Sequence, residues 1–135
     1  GDSLSSKQAN FKGTRPYGGV AVGSNLEQTS DVGSYQPNAW GFYDMHGNVW
    51  EWCADWYRHD YYKNSPKNNP LGPRSSLDTE EPALPKKSTR GGSILCAELY
   101  CTGYRPSARM KPSPDTGLNH TGFRLVALGS PPANP

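Results

Sequence analysis

The chain has 135 residues, 14 basic and 12 acidic side chains, and a formal net charge of +2 without a long run of either sign. That balance excludes an electrostatic grip on nucleic acid or on an anionic membrane, and no stretch has the pattern of a membrane span or a signal peptide. Hydrophobic residues make up 33%, aromatics 11%, and Gly and Pro number 15 and 13, which predicts one domain, or a large part of one, with a small aromatic core wrapped in irregular loops.

Residues 1 to 34 are polar and Gly-rich and read as loop, with a short strand near Val20 to Val22. Gln36-Pro37-Asn38 is a turn signal. All four tryptophans fall between Trp40 and Trp56, a concentration of apolar mass that argues against disorder. Within that segment Val49, Glu51 and Cys53 alternate with Trp50, Trp52 and Ala54, the period of a strand, and Gly47-Asn48 supplies the turn leading in. Residues 58 to 88 are Pro-rich and polar, a long surface excursion of the kind that is functional or mobile. A second core segment opens at Arg90-Gly91-Gly92-Ser93-Ile94-Leu95 and runs through two cysteines to Arg109. Residues 111 to 120 form another Pro/Gly loop, Gly122 to Val126 a closing strand, and Gly129 to Pro135 a frayed tail. No internal repeat and no convincing helix emerges.

Three cysteines, an odd number, do not make a fully paired disulfide framework. Cys96 and Cys101 are separated by Ala97-Glu98-Leu99-Tyr100. On a strand they face opposite sides, and on a helix they stand roughly 140° apart. To act together they need a bend between them. A disulfide, a soft-metal site and two unrelated buried thiols all remain open. Structural zinc normally takes four ligands, and Cys53 has no CxxC partner; two thiolates alone suit Cu(I) better.

The run from Asn38 to Tyr57, NAWGFYDMHGNVWEWCADWY, together with Arg90-Gly91-Gly92-Ser93 and Gly122-Phe123-Arg124-Leu125, closely resembles the formylglycine-generating enzyme, or sulfatase-modifying factor, superfamily. The likeness covers essentially residues 2 to 127 and reads as the C-terminal part of a longer member, occupying residues 1 to 128. The superfamily also holds iron-dependent sulfoxide synthases and an inactive paralogue. What marks the oxidases is a C-x4-C pair after Gly-Gly-Ser, matched here by Cys96 and Cys101.

The resemblance implies an α+β, C-type-lectin-like fold with little regular secondary structure. It implies Cu(I) held by Cys96 and Cys101, and a sulfatase cysteine in a Cys-x-Pro-x-Arg motif as substrate. O2 accepts the electrons, a substrate C–H bond breaks, and a thioaldehyde hydrolyses to formylglycine. Ser93 matches a serine beside the oxygen pocket, although two glycines followed by a serine also make an ordinary turn. Trp50 and Tyr100 match substrate-pocket aromatics, which a small fold would bury in any case. A structural Ca²⁺ is implied at Asp44, Glu51 and the carbonyls of Gly47 and Val49, all-oxygen donors that suit that ion. A second is implied at Asn10, Ser24 and the carbonyls of Phe11 and Leu26, with Ser24 standing where relatives carry Asp.

Departures from the family pattern are informative. Pro106 and Leu125 replace cysteines that pair in eukaryotic members, pointing to a bacterial enzyme of the cytoplasm, and Ala97 replaces a histidine of some members. His120 is placed in the late loop, near the pocket or in solvent. Arg105, Arg109 and Arg124 are expected in ion pairs or on loop carbonyls, and Cys53 as a small buried hydrophobe. One rival function is a non-catalytic, lectin-like binding module keeping the cysteine pair as a disulfide. The other is an iron enzyme, which needs a His/carboxylate set that His46, His59 and His120 do not form in sequence.

Overall fold

The computed structural model describes residues 2–126. Its regular elements are few: β1 (Trp50–Trp56), α1 (Tyr61–Asn64), β2 (Lys87–Arg90) and β3 (Thr121–Gly122). They form one three-stranded sheet of order β2-β1-β3. β1 and β2 run antiparallel with Glu51 opposite Arg90 and Trp52 opposite Thr89, and the register slips before Trp56 meets Lys87. β3 lies parallel to β1, with Trp50 opposite Thr121 and Glu51 opposite Gly122. A parallel neighbour requires a long crossover, and everything from Tyr57 to His120 serves as that crossover.

The alternating pattern at Val49–Ala54 does form the central strand, and the turn before it is left-handed at both residues, with φ of 77° at Gly47 and 64° at Asn48. Asn is among the few side chains that accept that conformation routinely. Two expectations are corrected. No strand forms at Val20 to Val22. The closing strand is Thr121–Gly122, and Phe123 to Val126 continue past the sheet with exposed side chains. No described strand pairs on that outer side, so no ladder continues there.

The core is small and aromatic. Ala9, Phe11, Trp50, Cys96 and Tyr104 are buried together, with Leu4, Tyr17 and Cys101 packed against them. Phe11 and Tyr104 lie 5.2 Å apart at a tilted angle, a favourable arrangement of ring quadrupoles. The 58–88 excursion is tied down. It contains the four-residue helix α1, and Leu77 exchanges backbone hydrogen bonds with Tyr57 and His59. Arg109 stacks over both Tyr57 and Tyr62, at 4.6 and 4.5 Å from the ring centroids. The expected tail at Gly129 to Pro135 lies outside the described residues. Among those described, no helix is long and apolar enough to cross a membrane.

Candidate thiol site

Two consecutive left-handed glycines end β2, with φ of 91° at Gly91 and 74° at Gly92. They turn the chain out of β2 and start the segment that carries the cysteines. Gly92 lies directly on the backbone of Tyr104, leaving no room for a Cβ. Ser93 follows, buried, and its amide donates to Cys96 Sγ at 3.4 Å while its carbonyl accepts from the Cys96 amide at 3.0 Å. The Lys12 amide, donating to the Cys96 carbonyl at 3.0 Å, fixes this segment to the N-terminal loop.

The bend that the cysteine spacing demands is present. Ala97 N–H donates to the Cys101 carbonyl at 3.1 Å, and Cys101 N–H returns to the Ala97 carbonyl at 2.9 Å. The turn closes with the two cysteine Cα atoms 4.6 Å apart, and the sulfurs meet as a disulfide. Cys53 stays apart as the free cysteine. It is half-buried rather than fully buried, and burial first, then the Asp55 carboxylate, pushes its thiol pKa up. A thiol held protonated in this way is a poor nucleophile and a poor ligand.

The pair opens onto a cavity of about 530 Å³ lined also by Trp50, Ser93, Tyr100 and His120. Every residue that the sequence nominated for catalysis or substrate contact is therefore in one place. Trp50 is a buried wall whose ring packs on Gly103, and its amide donates to the His120 carbonyl at 2.8 Å. Tyr100 stands at the rim, 87% exposed, so it is not the core aromatic that a bland reading would make it. Ser93 Oγ accepts from the Leu95 amide at 3.3 Å, which leaves its hydroxyl hydrogen to be donated. His120 belongs to this cavity and not to a solvated loop; its Nδ1 is buried without a hydrogen-bond partner. Arg109 and Met110 line the same space. The spacing of the cysteines gave no signal for these two, since the β2–Met110 bridge is what brings them in.

The oxygen donors fall in two groups. Asp44, Val49 and Glu51 line one cleft together with Arg124. The Glu51 carboxylate accepts from Arg124 Nε and Nη2, Arg124 Nη1 donates to the Tyr43 carbonyl at 3.2 Å, and Asp44 Oδ2 accepts from the Gly33 amide at 2.6 Å. Gly47 sits beside it, paired with Asn10 and donating to the Gly91 carbonyl at 2.7 Å. Asn10 is buried, its amide donating to the Gln28 carbonyl and to Asn48 Oδ1. Phe11 is core, while Ser24 and Leu26 belong to the loop that packs on Gly13. Among the described residues no three His, Cys, Asp or Glu side chains converge as a metal cluster. His46 and His59 instead bond the carbonyls of Tyr104 and Leu77, and the facial set of an iron enzyme is not assembled. Arg105 lies over the Tyr17 ring at 5.6 Å.

This thiol-bearing cavity is set in a sequence whose residues 2–128 match the profile of the sulfatase-modifying factor enzyme 1-like domain family. The chain belongs to this family. The formylglycine-generating enzyme of Thermomonospora curvata is 41% identical to it over 100 residues, 73% of this chain and 31% of the relative. The serine/threonine-protein kinase pkn1 of Chlamydia pneumoniae is 53% identical over 100 residues, again 73% of this chain but 14% of the kinase. Among solved structures, Treponema denticola variable protein 1 superimposes with a TM-score of 0.60 at 28% identity, covering 87% of this chain and 34% of that one. The sulfatase-modifying fold, α+β with a small sheet and little regular structure, is thus shared. The chain spans about a third of the length of the formylglycine-generating enzymes it matches.

Proposed function

We propose that this chain is the thiol-bearing part of a copper-dependent oxidase that converts a cysteine of sulfatases, within a Cys-x-Pro-x-Arg motif, to formylglycine. The observation carrying this reading is the meeting of Cys96 and Cys101 at the wall of a cavity that also holds Ser93, Trp50, Tyr100 and His120. Two soft sulfur donors, with no third His, Cys, Asp or Glu side chain converging on them among the described residues, fit Cu(I) with a position left open for a thiol substrate. When bound, the metal supplies electron transfer from the substrate thiolate towards O2. The protein's own groups do the rest. With the pair reduced by two electrons from a cellular dithiol, Cys96, buried, and Cys101, partly exposed, would hold the ion as thiolates at the cavity wall. Trp50 closes the inner side against water. The Ser93 hydroxyl is a donor for developing negative charge on oxygen, and Tyr100 offers the incoming peptide an apolar face. The need for reduced thiols agrees with a bacterial cytoplasm.

The test is an anaerobic titration of the reduced protein with Cu(I) against a competing chelator. One ion per chain is expected, lost in Cys96→Ser and in Cys101→Ser. A reduced protein that takes up no copper would sink the oxidase.

A second reading is a non-catalytic binding domain keeping Cys96–Cys101 as a disulfide. One observation favours it: the sulfurs are already bonded. It requires that the bond persist under cytoplasmic reducing conditions, which counting free thiols at glutathione potentials measures directly.

Structural Ca²⁺ is proposed at Asp44, Glu51 and the carbonyls of Gly47 and Val49, where two carboxylates stand near one cleft and Arg124 competes for Glu51. Chelation with EGTA should lower the melting temperature, and Arg124→Gln should enlarge that drop; a transition indifferent to EGTA in both proteins removes the ion. The second expected site offers no carboxylate among Asn10, Phe11, Ser24 and Leu26, and it is not proposed.

A further inference from the structure

The cavity beside the thiol pair holds a polar group that the folded protein leaves without a partner. His120 Nδ1 is buried and makes no hydrogen bond among the described residues, although buried polar atoms are nearly always paired. The residue is not loosely held. The His120 carbonyl accepts from the Trp50 amide at 2.8 Å, the Thr121 amide donates to the Leu118 carbonyl at 3.2 Å, and Thr121 pairs with Trp50. His120 is therefore carried on the same central strand that supplies the inner wall of the cavity. Two polar neighbours in the cavity are committed elsewhere. Ser93 Oγ accepts from the Leu95 amide, and Arg109 donates to the Arg58 carbonyl while stacking over Tyr57 and Tyr62.

A buried imidazole nitrogen without a partner costs folding free energy, so its use lies in what the cavity takes up. The cysteine pair does not supply the partner, because its sulfurs are joined as a disulfide and divalent sulfur is a weak acceptor. Nor is the ring placed as a third ligand for an ion on the pair, since among the described residues no three His, Cys, Asp or Glu side chains converge. What remains is the occupant. A thiolate carries a full negative charge, and an N–H directed at it makes a charge-assisted hydrogen bond stronger than a neutral one. The lining suits a polypeptide that brings such a group: Leu95, Tyr100 and Met110 face the same cavity and are 53, 87 and 49% exposed.

We propose that His120, through Nδ1–H, is the donor that receives the sulfur of a substrate cysteine as its thiolate, the thiol proton passing to bulk water. The inference rests on the oxidase reading and gives His120 a role within it, that of a substrate-binding residue. The test uses the reduced chain loaded with one equivalent of Cu(I) in the absence of oxygen, titrated with N-acetylcysteine methylamide or with its S-methyl ether. The nitrogen resonance of His120 Nδ1 should shift with the thiol and stay in place with the thioether. By calorimetry, His120→Asn, whose amide donates from the place of Nδ1, should keep the thiol affinity within about threefold, and His120→Leu should lose about tenfold or more. Copper uptake should be the same in all three proteins. A parent that takes up no copper sinks the oxidase and this inference with it. Where the parent does take it up, the inference alone is overturned by a His120 resonance indifferent to the thiol, by equal thiol affinities in the parent and His120→Leu, or by a His120→Asn protein that binds thiol about tenfold more weakly than the parent. If His120→Leu does not fold, the resonance and His120→Asn decide.

Discussion

Gly92 shows how much of the site depends on a missing side chain. Its φ of +74° is strained for any L-residue, and an added Cβ would lie 2.5 Å from the Tyr104 amide nitrogen, a backbone atom that cannot swing aside. Gly92→Ala should therefore cost roughly 2–5 kcal/mol in urea unfolding, the sum of a left-handed penalty and overpacking. Gly117→Ala meets nothing within 4 Å and should stay within about 0.5 kcal/mol of the parent. Equal losses in the two variants would show that Gly92 is not a packing constraint. The dipeptide Gly91-Gly92 was visible in the sequence as a turn; that its second residue abuts Tyr104, twelve positions on, was not, because nothing local encodes such a contact.

At the scale of elements, the crossover between β1 and β3 is secured by charge. The Asp78 carboxylate is 2% exposed and accepts from Lys111 Nζ at 2.7 Å, and Glu80 accepts from the same ammonium at 2.5 Å. The Lys111 hydrogen bond holds the Asp78 carboxyl below its ordinary pKa, and the two carboxylates push the Lys111 ammonium above its own. The signs follow from linkage. A depressed carboxyl stabilises the fold above its unfolded pKa of about 3.9 and loses that contribution as pH falls below it. A raised ammonium contributes fully below about pH 10.4 and loses the contribution only in stronger alkali. Lys111→Met should lower the urea midpoint at pH 7, and it should flatten the fall that the parent shows as pH drops below about 4. Parallel pH curves for the two proteins would mean that the pair does not couple to folding. Sequence reading described residues 58 to 88 as a loop, functional or mobile, and had no means of pairing Asp78 with Lys111 across 33 positions. Proline content marks a break in regular structure; it does not say what the broken segment leans on.

For the whole molecule, both sulfurs lie within a chain that spans about a third of the length of its formylglycine-generating relatives. This partial span predicts that the reduced chain alone binds one Cu(I) yet converts a Cys-x-Pro-x-Arg peptide at least about a hundredfold more slowly than a full-length relative, because positioning the substrate carries much of the rate. Aldehyde formation measured by mass spectrometry checks this. Conversion at a full-length rate would show that these residues position the peptide unaided.

Sequence alone determined the family, the central strand from its two-residue period, the turn at Gly47-Asn48, and the identity of the two sulfurs. These are properties of runs of neighbouring residues, and neighbours in sequence are neighbours in space. Tertiary structure decided the remainder. It bent Ala97–Cys101 so that the sulfurs meet, carried His120 and Arg109 into the cavity beside them, set Arg124 on Glu51, and ended the last strand at Gly122. Each of these brings together groups from distant parts of the chain or depends on what packs alongside. A fold with so little regular structure gives no periodicity from which such contacts can be read.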